Sequence, residues 1–536
     1  MSDPTKIIKI YPTFDKSGNA IYDLYSYPKG SNIELQCQVY PTRVIPVFFI
    51  PGVMGSNLKA KEKMGDRVWR LDSLGGIALT WFGTSAEKRK KRLNPTKTEV
   101  DDGGKVDESD NEPFLLQTRR ERGWGSVAYT SYAPFLAWLQ EALNDFSAYG
   151  RGERHKLVGQ DLAAEIGELA LQEEEVKLSY SYLFPVFAVG YNWLESNAES
   201  ARHIGEKITE TINFYKRKGR QCEKVILVTH SMGGLVARHY SECLGGRDSV
   251  LGVVHGVMPA TGAAATYRRM KAGTEYPEGN YISWAAAQVL GGDGGRMTAV
   301  LSQAPGPLQL LPSRDYGMRW LKILDGENVN FYPKEDPYAE IYLVRDKWWG
   351  LCDERLISPG SRRTQWELNN DWLTYTKMLN NKVKAFIENL SGKYHPNTHV
   401  FYSAASAHPA YGDVCWCAET PAIEGRMNQG RVRHAADAQV VWEGQTGVTR
   451  KVATPLGGEG WASGIRQTYR LLPPTEAGDG TVPLRSGRIP SGYLRSRFQV
   501  AVEHEPAYQD AKARLFTLRA IVKIAQAVKH TTQGDG

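Results

Sequence analysis

The sequence predicts an α/β fold: a mostly parallel central sheet with helices on both faces. Apolar runs recur through the first half of the chain, namely Val44-Ile-Pro-Val-Phe-Phe-Ile50, Phe184-Pro-Val-Phe-Ala-Val189, Val225-Ile-Leu-Val228 and Leu251-Gly-Val-Val-His-Gly-Val257. They are too continuous for strands with one wet face and suit strands covered on both, as parallel sheets require. Helical patterns lie between them, and alternation of strand and helix is the mark of a parallel α/β sheet.

Each element follows from its own pattern. Residues 1–43 hold short β-like runs, such as Ile33-Glu-Leu-Gln-Cys-Gln-Val39, which alternates apolar and polar side chains. Glu199 to Lys216 places Ala201, Ile204, Ile208 and Ile212 on one helical face. Leu235 to Cys243 continues as a helix from the Ser-Gly turn before it. Regularity fails at 83–125, where the basic run Lys88-Arg-Lys-Lys-Arg92 is followed by an acidic stretch from Asp101 to Glu112. An exposed, mobile loop is expected there, with the basic run a solvated face and lipid head groups its sharper alternative. A second break, 262–395, is rich in Gly and aromatics (Trp284, Trp320, Trp348, Trp349) and carries Leu308-Gln-Leu-Leu311 between prolines. It reads as a cap or lid inserted after a sheet strand. A further insertion spans about 405–465. The expected layout is a catalytic core from 1–261 and 396–536, with 262–395 as the cap.

Composition excludes several classes. The 536 residues are 41% hydrophobic and 23% charged, with net charge +7, as in an ordinary water-soluble globular protein large enough to need no staple. No basic groove with interleaved aromatics appears, so no nucleic-acid partner is expected. Six cysteines are sparse and irregular; Cys415-Trp-Cys417 lacks two further ligands for zinc and reads as free thiols in an inserted loop. No cofactor is implied. Asp101–Asp110 could attract calcium, but a solvated loop explains it more simply. The N-terminus, Met1-Ser-Asp-Pro-Thr-Lys-Ile-Ile-Lys, has no apolar core or cleavage site, and no run of 18 apolar residues occurs. Synthesis in the cytoplasm without a signal peptide is expected, with any export by another route.

The chemistry centres on Thr229-His-Ser-Met-Gly233. An apolar strand precedes it and a helix follows, which is the setting of a nucleophile elbow in an α/β-hydrolase fold. Such a turn holds the serine Oγ clear of the sheet and needs small neighbours. Gly233 and Gly234 supply them, whereas Thr229 stands where the pattern has glycine and must fit against the next strand. Ser231 is therefore the candidate nucleophile. It needs a base, and the base an orienting acid, in the chain order Ser, acid, His. Asp479 in Glu476-Ala-Gly-Asp-Gly-Thr-Val-Pro483 sits in a tight turn at a strand end, and His504 follows the last apolar strand and precedes the final helix. Among the other histidines, His230 is expected to face away from the serine Oγ, His239 to be packed on a helix, His255 to lie in a strand and His408 in an insertion. An oxyanion hole needs two backbone amides. Met232 directly after the serine should give one, and Val53, with Met54 as second choice, the other, from the loop Ile50-Pro-Gly-Val-Met-Gly-Ser-Asn57.

Together Pro51-Gly-Val-Met-Gly-Ser-Asn-Leu58, His230-Ser-Met-Gly-Gly234 and Gly478-Asp-Gly-Thr-Val-Pro483 resemble the lecithin–cholesterol acyltransferase and GPI-inositol-deacylase branch of the α/β-hydrolases, over roughly 44–60, 184–260 and 470–527. The resemblance implies cleavage of acyl esters of lipids with Ser231, Asp479 and His504 as triad. At whole-chain level the sequence also resembles the type VI secretion lipase effectors of the fourth class, through the N-terminus, Val254-His-Gly-Val-Met-Pro-Ala-Thr-Gly-Ala263 and the large insertions. That implies a phospholipase toxin delivered to a rival's periplasm, with a phospholipid membrane as substrate, a spike or adaptor protein as carrier and a cognate immunity protein as partner. A carboxylesterase for small soluble esters and an inactive hydrolase-fold binding protein are the competing readings.

Overall fold

The computed structural model describes residues 6–10, 13–14, 20–37, 41–62, 66–73, 81, 83–109, 116–146, 151–167, 170–275, 291–325, 328–360, 363–419, 438–440, 447–454 and 465–530. Six strands form the central sheet, in the spatial order Val186–Ala188, Val47–Ile50, Val225–His230, Val250–Gly256, Thr398–Tyr402 and Ser496–Gln499. Every neighbouring pair is parallel. The apolar runs are all strands, but two are broken by proline. Arg43–Val44 is separated from Val47–Ile50 by Ile45-Pro46, and Tyr182–Leu183 from Val186–Ala188 by Phe184-Pro185. Proline has no amide for the ladder.

Alternation along the strands divides the core in two. Val47, Phe49, Ile226 and Val228 pack with residues of the helices Tyr129–Leu143 and Ala511–Ala525. Phe48, Ile50, Val225 and Leu227 pack on the other side with the helices Asn197–Arg217 and Gly233–Cys243. Both faces are covered, which is why these strands are apolar throughout. Each such side chain contributes roughly 1.5–3 kcal/mol of burial. Among the described residues no helix is long and apolar enough to cross a membrane.

The segment 83–125 is not the exposed loop its charge pattern suggests. Ser85 caps a helix, Ala86–Arg92, and Thr98–Val100 pairs with Leu58–Ala60. Arg89 of the basic run is buried, donating to the Trp81 carbonyl at 3.1 Å with its guanidinium over that ring. Lys90 donates to the Ile357 carbonyl at 2.6 Å and the Ser358 hydroxyl at 2.9 Å. The acidic stretch is consumed locally. Asp101 pairs with Arg70, and the Glu108 carboxylate accepts the amides of Arg119 and Arg120 at 2.9 and 3.0 Å. A cation 31 residues upstream and the backbone amides of the turn that follows take up these two carboxylates and hold the segment down. Asp110 and Glu112 lie outside the described residues, as does Trp284.

The two later insertions share one sheet. Leu321–Asp325 pairs with Asn328–Tyr332 on one side and, in parallel, with Val414–Ala418 on the other. Ile465–Leu471, Thr449–Thr454 and Gln439–Val440 continue it by antiparallel pairing. A boundary at 395 thus separates strands that belong together in space, because Thr398–Tyr402 returns to the central sheet between them. Cys415 and Cys417 lie on a strand of this inserted module rather than in a loop, and all six cysteines are free.

Candidate active site

Ser231 follows directly on the strand Val225–His230, with φ of 52°, and the helix Gly233–Cys243 starts two residues later. The turn is held by the Ser231 amide, which donates to the Gly256 carbonyl at 3.0 Å. Gly233 explains why the motif needs a small residue: an added Cβ would stand 2.4 Å from the Ile50 carbonyl oxygen and 2.5 Å from that of Pro51. Thr229 is accommodated by the neighbouring strand. Its hydroxyl lies 2.8 Å from His255 Nδ1, and its carbonyl accepts the Tyr508 hydroxyl at 2.9 Å.

His504 and Asp479, 25 residues apart, come together with Ser231 across 273. His504 Nε2 is 2.8 Å from the Ser231 Oγ, and Nδ1 is 2.7 Å from Asp479 Oδ2. A carboxylate accepts, so Nδ1 carries the proton and Nε2 is left to accept from the serine hydroxyl. Asp479 is itself fixed: its Oδ1 accepts the amides of Thr481 at 2.9 Å and Val482 at 2.6 Å, across a turn made possible by Gly480 at φ 87°. The His504 amide donates to the Asp479 carbonyl at 2.9 Å, tying the two loops by backbone as well. Ser231 and Asp479 are 3% and 2% exposed, so the charge network is largely shielded from water.

The glycine-containing loop after the first core strand lies against the serine. A Cβ on Gly52 would stand 3.0 Å from the Ser231 Cβ. The loop is pinned by the Tyr191 hydroxyl to the Pro51 carbonyl at 2.9 Å and by Trp69 Nε1 to the Met54 carbonyl at 2.8 Å. The amides of Val53, Met54 and Met232 make no hydrogen bond to a described residue.

His230 turns away from the serine Oγ, as expected, but it is not idle. Its Nε2 lies 2.8 Å from the His504 carbonyl, which can only accept, so Nε2 is protonated. Its Nδ1 then accepts from the Tyr132 hydroxyl at 2.9 Å, and the Tyr132 oxygen accepts the Gly52 amide at 3.2 Å. Burial, followed by the charge of His504, pushes the His230 imidazole down to about 3, so the neutral tautomer is the resting one. One buried chain of bonds thereby joins the Gly52 loop to the loop bearing His504. Sequence reasoning missed Tyr132 entirely, since an amphipathic helix gives no sign that one of its buried hydroxyls reaches a loop 80 residues away.

The other histidines lie elsewhere. His239 packs on Phe386, His255 is in its strand, and His408 is on the strand Ala405–Ala410 beside Glu503. Among the described residues no group of three or more His, Cys, Asp or Glu could hold a metal ion.

No protein-family model and no curated protein matches the chain. Among solved structures, that of the Tle4–Tli4 complex superposes with a TM-score of 0.68 at 28% identity, covering 90% of this chain and 98% of the matched one. The chain is similar to Tle4. The match extends into the 262–395 insertion as well as the central sheet, because it leaves only a tenth of the chain uncovered. It bears out the resemblance to type VI lipase effectors drawn from the sequence.

Proposed function

We propose that the chain is a serine hydrolase of the α/β-hydrolase class that cleaves acyl esters of membrane phospholipids and acts as a type VI effector. The observation that carries this reading is the pair of short contacts at His504, 2.8 Å to the serine Oγ and 2.7 Å to the Asp479 carboxylate. In the proposed reaction His504 Nε2 takes the Ser231 proton as Oγ attacks the acyl carbon. Asp479 stabilises the imidazolium, and the amides of Met232 and of Val53 or Met54 receive the developing oxyanion. The imidazolium then gives its proton to the leaving alcohol, an acyl-enzyme remains, and water releases the fatty acid by the same steps. The inserted module serves as cap over the acyl chain, on a core of 1–261 and 396–536. The likeness to a protein solved with Tli4 favours a cognate immunity partner, and an effector of this kind also needs a spike or adaptor for delivery.

Fluorophosphonate labelling tests the chemistry. Wild type should be labelled and Ser231→Ala should not; equal labelling of the two would refute catalysis at this serine and favour a binding protein. Substrate class is tested by a chain-length series of esters above and below the micelle threshold. Rates that climb on aggregated long-chain substrate support a lipase, whereas a steep preference for short soluble esters would return the reading to a carboxylesterase. Expression directed to the periplasm should be toxic, and cytoplasmic expression much less so.

A further inference from the structure

Asp479 is brought to the site from outside the central sheet. After the strand Thr398–Tyr402 the chain leaves to build Val414–Ala418, Gln439–Val440, Thr449–Thr454 and Ile465–Leu471 of the inserted sheet, and it returns at Glu476–Gly478. That last strand belongs to a two-stranded ladder with Ala405–Ala410, whose register shifts between its two ends. The acid therefore stands at the foot of a long excursion, while His504 stands beyond the last central strand, Ser496–Gln499. Proton transfer at Ser231 needs the two held at a fixed separation, and neither lies on a strand of the central sheet.

Ser403 sits where these two loops meet. It directly follows Thr398–Tyr402 and is 3% exposed. Its Oγ donates to the Gly478 carbonyl at 2.7 Å, one residue before Asp479. It accepts the Val502 amide at 3.4 Å, two residues before His504, and the Ala405 amide, also at 3.4 Å. One proton to give and two lone pairs to accept are all that a hydroxyl has. The regular ladder ends just before this point, where the Val500 amide donates to the Tyr402 carbonyl at 2.9 Å. The next amide in that spacing, Val502, meets a side-chain oxygen in place of a backbone carbonyl. Further along the same two loops the His504 amide donates to the Asp479 carbonyl at 2.9 Å. One backbone tie leaves the loops free to turn about it; a second, through Ser403, fixes their orientation.

We infer that Ser403 is a positioning residue for the reaction proposed at Ser231, an inference that rests on that reading. Its hydroxyl keeps the Asp479 carboxylate on His504 Nδ1 and thereby Nε2 on the serine Oγ, without touching the serine or the acyl group. When that hydroxyl is removed, the buried Gly478 carbonyl loses this donor. The acid loop then follows the inserted module from which it returns, rather than the central sheet that carries the nucleophile.

Ester hydrolysis and fluorophosphonate labelling of the full chain test it. Ser403→Ala should lower kcat on a soluble ester by about 10-fold or more, toward the roughly 10²-fold that a misplacement of about 1 Å can cost. KM should stay unchanged, and the labelling rate should fall with kcat. Thr398→Val is the control: it removes an equally buried hydroxyl from the other end of the same strand, where Oγ1 donates to the His395 carbonyl at 2.6 Å. It should lower the melting temperature and leave kcat and labelling as they are. Ser403→Cys keeps the shape with a weaker donor, so it shows the same split with a smaller fall in kcat if Ser403→Ala does not fold. Wild-type kcat in Ser403→Ala, or in Ser403→Cys where that is the variant that folds, overturns the inference and leaves the Ser231 reading intact. An equal fall of kcat in Thr398→Val does the same. Wild-type chain that takes no label overturns both.

Discussion

The central sheet buries Val47–Ile50 and Val225–Val228 completely with side chains that ask for no partner, whereas the inserted module buries rings that bring polar atoms inside with them. In the module the Tyr267 hydroxyl donates to the Trp349 carbonyl at 2.6 Å, that of Tyr342 to Pro312 at 2.6 Å, and that of Tyr375 to Tyr342 at 3.0 Å. Trp320 Nε1 finds no partner among the described residues. The difference teaches how each region is specified. Aliphatic burial is non-directional and tolerant, so the sheet is set by periodicity. The module depends on directed bonds between residues far apart in the chain, and each one left unmade costs about 1–3 kcal/mol.

Four experiments press on that contrast, taken from the largest expected effect down. Ser231→Ala should reduce ester turnover by about 10⁴-fold or more, while the melting transition stays in place, since the Oγ is no part of either core. A large loss of stability would mean that site and sheet are not separable.

Acid should then strike the two regions unequally. Burial pushes His230, His255 and His399 down to about 3. Their unfolded values are near 6.5, so the unfolded chain binds the extra protons. The stability these groups leave intact above about pH 6.5 is lost as pH falls toward 3, at about 1.4 kcal/mol per pH unit for each histidine, or about 4 for the three. All three sit on or directly beside the central strands. The module responds in another range. Lys271 is pushed down to about 7 from an unfolded value near 10.4. Raising pH from 7 to about 8.5 should therefore strengthen the module by about 2 kcal/mol. Hydrogen exchange followed across both ranges separates them; parallel loss of protection in both regions under acid would break the comparison.

Tyr132→Phe removes the hydroxyl shared by the Gly52 amide and His230. It should cost about 1–3 kcal/mol of stability and up to about 10²-fold in turnover, with the loss in kcat rather than KM because the ground-state ligand is not touched. An unchanged kcat would show that the Gly52 loop and the His504 loop are held independently. Lys90→Met should cost only about 1 kcal/mol and be read as faster exchange around 345–358, with turnover on soluble esters unaltered.

The legibility of the molecule follows the same division. The strand Val225–His230 and the turn at Ser231 were readable because strand periodicity and elbow spacing are local signals; chain order pointed to Asp479 and His504, which the fold brings within hydrogen-bonding distance of one another and of Ser231. The inserted sheet was not, since Leu321–Asp325 and Val414–Ala418 pair across 93 residues with no pattern that announces it. Residues 83–125 were misread for a related reason. A charge run looks solvated until its partner is known, and Arg89 lies under Trp81 while Asp101 lies on Arg70. His230 was correctly turned from the Oγ, yet its hold on the His504 carbonyl needed Tyr132, which only the folded chain brings near.

Three residues that are not glycine adopt left-handed backbone at the ends of three adjacent central strands: Met54 at φ 63°, Ser231 at 52° and Val257 at 44°. Each such residue costs roughly 1–2 kcal/mol relative to an ordinary conformation. Ser231→Gly should therefore melt slightly higher than the natural chain while turning nothing over, an expectation that paired melting and ester assays check. Truncation at this position runs downhill in free energy, so a side chain held here against that gradient is what the proposed reaction at Ser231 requires.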